Sequence, residues 1–224
     1  MSLPRLALAA LSALVWSLPP IPVHAQSVTA TTAADPPPSE LAEPVAATLG
    51  PGCVSVKSGD VPLELWWVKA VGLAKAPAGA APAWADVADG TLVGVVRVDA
   101  AWTDIRGYKV KPGVYTLRFA LQPQNGDHLG VSPNREFLLL SPAAADTTPD
   151  AVGYKGAVDL SKQTVHRAHP SALSIDPPVT TMAPLAVTTD LGLEGVVFSV
   201  PAGSAGQPSG ALTFGLILHG VIQN

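Results

Sequence analysis

The residues of this 224-residue chain best suited to chemistry are its histidines. Four of the five follow the N-terminal apolar segment: His128, His166, His169 and His219. Imidazole is the commonest ligand for zinc and copper, and its charge changes near neutral pH. Asp127 precedes His128, so one loop offers a carboxylate beside an imidazole. His166 and His169 stand at i and i+3, which lets both rings face one ion where the segment turns. If these two loops meet at one end of the fold, Asp127, His128, His166 and His169 compose a zinc or copper site. The plainer alternative is local. Asp127 would close the Asn125-Gly126 turn, His169-Pro170 would shape a loop, and His219 would lie on a strand face.

The tryptophans are the second set. Leu63, Leu65 and Trp67 alternate with Glu64, Trp66 and Val68, a period of two that reads as a strand with one indole on each face. An outward indole is a stacking platform for sugars, which makes Trp66 and Trp102, with Trp84, candidate glycan-binding residues. The alternative is that one indole enters the core and a neighbouring loop covers the other.

Several chemistries lack their motifs. The chain has no G-x-x-x-x-G-K-[ST] phosphate loop, no G-x-G-x-x-G, no G-x-S-x-G elbow and no H-E-x-x-H. No pair of carboxylates stands in an obvious strand-end setting for glycoside hydrolysis. Cys53 is the only cysteine, so no intramolecular disulfide forms. A free thiol of this kind packs as a small hydrophobe.

The elements that must position these residues are strands. Residues 105–140 form the central stretch. Val114 to Leu121 alternates, with Tyr115, Leu117, Phe119 and Leu121 on one side and Val114, Thr116, Arg118 and Ala120 on the other. Pro112-Gly113 reads as a turn, so Tyr108 to Val110 is expected to pair with this strand as a hairpin. Between Leu121 and Arg135 runs a polar loop of about a dozen residues, long enough to be functional or a packed Ω-loop. Further strands are expected at Cys53–Val56, Val61–Val71, Thr91–Ala101, Arg135–Leu140, Leu173–Ile175, Leu185–Thr189, Glu194–Val200 and Ala211–Ile222, the last two as a hairpin. Residues 141–159 read as loop, and Asp159 to Gln163 as a short helical turn at most. The run of short strands between Pro/Gly turns, with little helix, predicts an all-β antiparallel sandwich of jelly-roll or immunoglobulin-like type.

The pattern Gly113-Val-Tyr-Thr-Leu-Arg118, Gln122-Pro123, Gly126-Asp-His128, Gly130-Val131, Pro133 and Phe137-Leu-Leu-Leu140, followed by Ser141-Pro-Ala, His169-Pro170 and Leu173-Ser174, resembles a family of uncharacterised bacterial secreted proteins. The resemblance spans roughly residues 50–178. It implies a shared fold and export, and carries no known activity with it.

Residues 1–25 read as a secretory signal peptide. Arg5 supplies the charge, Leu6 to Leu18 the apolar region, and Val23-His24-Ala25 the cleavage site. Residues 26–50, rich in Ala, Thr and Pro with Pro36-Pro37-Pro38 at their centre, read as a disordered leader. Residues 51–224 fit one domain. Cleavage would remove Arg5 and no acid, leaving 12 of the 13 basic residues against 17 acidic ones. No basic stripe appears, so nucleic acid is not an expected partner. No stretch of the mature chain is a transmembrane candidate. These readings favour an exported, periplasmic or extracellular, non-catalytic β protein that binds or builds the cell envelope. The alternatives are a carbohydrate-binding module using its tryptophans and a metal-binding protein or metalloenzyme using its loop histidines.

Overall fold

The computed structural model describes residues 28–124, 134–204 and 208–221. The fold is all-β, as the turn-punctuated alternation predicts. The strands are β1 (Val28–Ala33), β2 (Cys53–Ser58), β3 (Val61–Trp67), β4 (Val71–Gly72), β5 (Leu92–Val98), β6 (Trp102–Thr103) and β7 (Lys109–Val110). They continue with β8 (Gly113–Leu121), β9 (Glu136–Pro142), β10 (Ala172–Asp176), β11 (Leu185–Thr188), β12 (Glu194–Gly203) and β13 (Gly210–His219). One hydrogen-bonded path runs β1-β2-β3-β5-β8-β9-β10-β13-β12-β11. Its neighbours are antiparallel throughout. The sheet curls, so that β1 comes back near β11 and β12. Short β4 pairs parallel with the end of β12, Val71 opposite Ala202 and Gly72 opposite Gly203.

The curl wraps an aromatic core. Trp67 of β3 meets Phe198 of β12 and Phe214 of β13 edge-on, at centroid distances of 4.8 and 5.6 Å. Trp84 stacks on Phe119 of β8 at 5.0 Å. Such contacts add to the burial of the rings themselves. Gly94 of β5 is what admits Trp67: a Cβ there would lie 2.5 Å from the Trp66 carbonyl oxygen and 2.8 Å from the Trp67 ring.

Four expectations are corrected. First, residues 28–50 are not a disordered leader. β1 pairs with β2 in full register, from Val28 opposite Ser58 to Ala33 opposite Cys53. A short helix α1 (Glu43–Ala46) follows, and Leu41, Val45 and Leu49 are buried. Val28, Leu41, Val45 and Leu49 of this segment join the core cluster, which composition alone does not reveal.

Second, the helix content is larger than a short turn. Helix α2 (Gly153–Val165) packs on β9 and β8. Its buried face is Ala157, Ser161 and Thr164, a helical i, i+4, i+7 spacing made of small residues that hydrophobic periodicity does not flag. The Ser161 hydroxyl donates to the Ser171 carbonyl at 2.8 Å and Thr164 to that of Leu140 at 2.7 Å.

Third, α2 changes the character of β8. Thr116, Arg118 and Ala120 are buried, so both faces of this strand lie inside and not only the Tyr115/Leu117/Phe119 face. Fourth, β7 pairs with β6 and not with β8. The reason is Asp104. One carboxylate oxygen accepts the backbone N–H of Arg106 at 3.0 Å and of Tyr108 at 2.9 Å, closing a tight turn over residues 104–108.

Candidate functional site

The proposed histidine site is not assembled by the described residues. His166 caps the C-terminus of α2 in the left-handed conformation at φ 51°, its N–H donating to the Lys162 carbonyl. Both His166 and His169 are exposed. His219 lies at the end of β13, its Nδ1 3.5 Å from the Ser58 hydroxyl. Asp127 and His128 lie outside the described residues.

The tryptophan platform is overturned. Trp66 is fully buried, and its indole N–H donates to the Asp35 carbonyl at 3.0 Å, while Arg97 covers its ring at 5.5 Å. The chain before α1 supplies this cover. Trp102 is also buried, donating to the Ser58 hydroxyl at 3.2 Å and the Leu218 carbonyl at 3.1 Å. Trp84 is half-buried in its stack on Phe119. Neither Trp66 nor Trp102 presents an open face of the kind a sugar stacks upon.

Two other places gather polar groups. At the edge formed by β1, β2 and β3, the Asp35 and Glu64 carboxylates and the Cys53 sulfur lie within 4.8 Å of one another. These are the described side chains that could share one cation, and all three already have internal partners. The thiol faces an Asp35 oxygen at 4.0 Å, and Glu64 accepts from Arg97 at 3.1 Å. Burial pushes the Cys53 thiol up from its ordinary range, and the charges of Glu64 and Asp35 push it further. A thiol held protonated in this way is a poor nucleophile.

The second place is a cleft of about 440 Å³, of the size that holds small molecules. One wall is the chain from Val68 through Ala74, which carries β4; the other is built from residues 88–92 and 149–151, with Thr48 at one end. Gly72 leaves the first wall open, since a Cβ at that position meets nothing within 4 Å.

The second wall is fixed from beneath by Arg118. This side chain is fully buried, yet all five of its N–H donors are used. Nε and Nη2 donate to the two oxygens of Asp146 at 2.6 and 2.7 Å. Nη1 donates to the carbonyls of Gly90 at 2.6 Å and Asp150 at 2.9 Å, and Nη2 also to that of Thr148 at 2.6 Å. The Thr116 hydroxyl donates to Asp146 as well. The Val152 N–H reaches the Gly90 carbonyl at 3.3 Å, so the two cleft loops are tied to each other and to one cation. Gly90 is required at this junction: its φ is +79°, and a Cβ would lie 2.4 Å from the Gly153 nitrogen.

Alternation along β8 places Arg118 on a defined face but gives no sign of its partner, which lies 28 residues away. The cleft residues carry no motif. The available signal was the placement of an arginine in an otherwise uncharged strand, since a charge there must be exposed or completely satisfied.

Searches with family models, curated proteins and solved structures each returned no match for this chain.

Proposed function

We propose that this chain is an exported, non-catalytic binding protein of the cell envelope, and that its ligand lodges in the cleft between residues 68–74 and the loops around Gly90 and Asp150. The observation that carries the reading is the five-bonded Arg118. A buried ion pair adds little net stability over well-packed hydrocarbon of the same volume. What this one does supply is a fixed position for three loop carbonyls whose residues form or adjoin the cleft wall. A wall held rigid before binding loses less conformational entropy when a ligand arrives, which is how a preorganised site gains affinity. Export is supported by the sequence of residues 1–25.

The test uses the mature chain from Gln26 and two blocking variants, Gly72→Leu and Ala151→Trp. Small-molecule fractions of envelope extracts are screened by thermal shift. The expected result is a fraction that raises the melting temperature of the parent chain and leaves that of both variants unchanged. A screen in which every stabilising fraction acts equally on parent and variants overturns the cleft. A chain that is recovered uncleaved from the cytoplasm overturns the export.

A further inference from the structure

The lining of the cleft is chemically one-sided. Val68, Leu73 and Leu92, with four alanines and Gly72, make most of it hydrocarbon. Among the described residues, Asp150 is the only charged one that lines it. The Asp150 backbone is fixed at both ends: its N–H donates to the Thr148 hydroxyl at 3.2 Å and its carbonyl accepts from Arg118. Its carboxylate is exposed and enters no hydrogen bond or ion pair with another described residue.

The other polar side chains are Thr48 and Thr91. The Thr48 hydroxyl already donates to the Val45 carbonyl at 2.7 Å, so toward the cleft it offers lone pairs. The Thr91 hydroxyl can do the same. All three polar side chains of the cleft can therefore accept hydrogen bonds, with Thr91 able to donate as well, and the one that is charged is negative. No cation is among the described residues that line the cleft. Arg118 is matched by Asp146, Lys75 lies 3.9 Å from Asp86, and Lys69 donates to the Ala47 carbonyl at 2.9 Å.

Resting on the cleft reading above, we infer that the ligand is a small amphipathic molecule with a cationic, donor-only head such as a primary ammonium. Its hydrocarbon part lies along the apolar lining and its head pairs with Asp150. An ammonium has donors and no acceptor, which complements the Asp150 carboxylate and the threonine lone pairs. A carboxylate or phosphate head would meet a like charge at Asp150 and gain no ion pair there.

The probes are octylamine, octanol and octanoate, titrated by calorimetry into the mature chain near neutral pH. Octylamine is expected to bind at least about tenfold more tightly than octanoate, with octanol between. Asp150→Asn should bring octylamine down to the level of octanol, and Gly72→Leu should abolish binding of all three. Asp150 is exposed, so its variant should fold, and its melting curve checks this. Octanoate binding as tightly as octylamine, or an amine preference that survives Asp150→Asn, overturns the cationic head. If none of the three probes binds while an extract fraction still distinguishes Gly72→Leu from the parent, the ligand class fails and the cleft stands. If no compound distinguishes them, both fail together.

Discussion

Arg118 and Asp146 meet through two parallel hydrogen bonds of 2.6 and 2.7 Å with neither side chain exposed to solvent. The pair joins β8 to the loop after β9, and through the free corners of the guanidinium it joins both to the loops at Gly90 and Asp150.

Breaking this pair from one side should be severe. Asp146→Ala leaves a buried guanidinium with two donors unmet, and the expected loss is about 3–5 kcal/mol in urea unfolding. The double variant Arg118→Met, Asp146→Leu removes both charges and should lose clearly less. In the double variant the amide of Val152, bonded to the Gly90 carbonyl, should exchange with deuterium faster than in the parent, because the carbonyls that Arg118 gathers are released. Equal losses in the two variants would show that the charges do not act as a pair.

Asp104 predicts a pH dependence. Burial raises its carboxyl above the ordinary carboxylate range, against the pull of its hydrogen bonds from Ser171, Tyr108, Arg106 and Ala172. A folded pKa above the unfolded one means that the folded state holds the proton more tightly. The stabilisation is then present below the unfolded pKa and is lost as pH rises through the folded pKa. Asp104→Asn removes this titration while keeping an acceptor for the Arg106 and Tyr108 amides. The stability of the parent relative to the variant should therefore fall as pH rises through and above the ordinary carboxylate range. A difference that stays flat, or rises, contradicts the assignment.

Cys53 should react slowly. Its thiol is raised by burial first, then by Glu64 and Asp35, so little thiolate is present near neutral pH. Iodoacetamide modification should be well below the rate of a free thiol. It should quicken in Glu64→Gln and Asp35→Asn, with the pH midpoint of the rate moving down. Variants that slow the reaction would show that the carboxylates do not act through charge.

Gly94→Ala should destabilise the fold by about 1–3 kcal/mol, the usual cost of overpacking, because its Cβ would meet the Trp66 carbonyl and the Trp67 ring. Near-ultraviolet circular dichroism should show the Trp67 environment altered. An unchanged melting curve would mean that β5 and β3 separate freely at this point.

The sequence by itself determined the class of fold and most of the strands. The alternation of Val114 to Leu121 and of Val61 to Trp67, and the Gly/Ser/Pro loop between the last two strands, are local signals, since a period of two depends only on the residues within it. The lone thiol was also legible as buried. Tertiary structure decided the rest. Whether Trp66 faced solvent depended on Asp35, which takes its indole N–H, and on Arg97, which covers its ring, and neither partnership has a periodic signal. Whether residues 153–165 formed a helix depended on a face of Ala, Ser and Thr, which gains stability from hydrogen bonds to β9 and to Ser171 rather than from its own hydrophobicity. The cleft arises from pairings between Arg118, Asp146, Gly90 and Asp150 that are separated by tens of residues. The type of each of these residues can be read in the sequence, but the distances between them exist only after the sheet has curled.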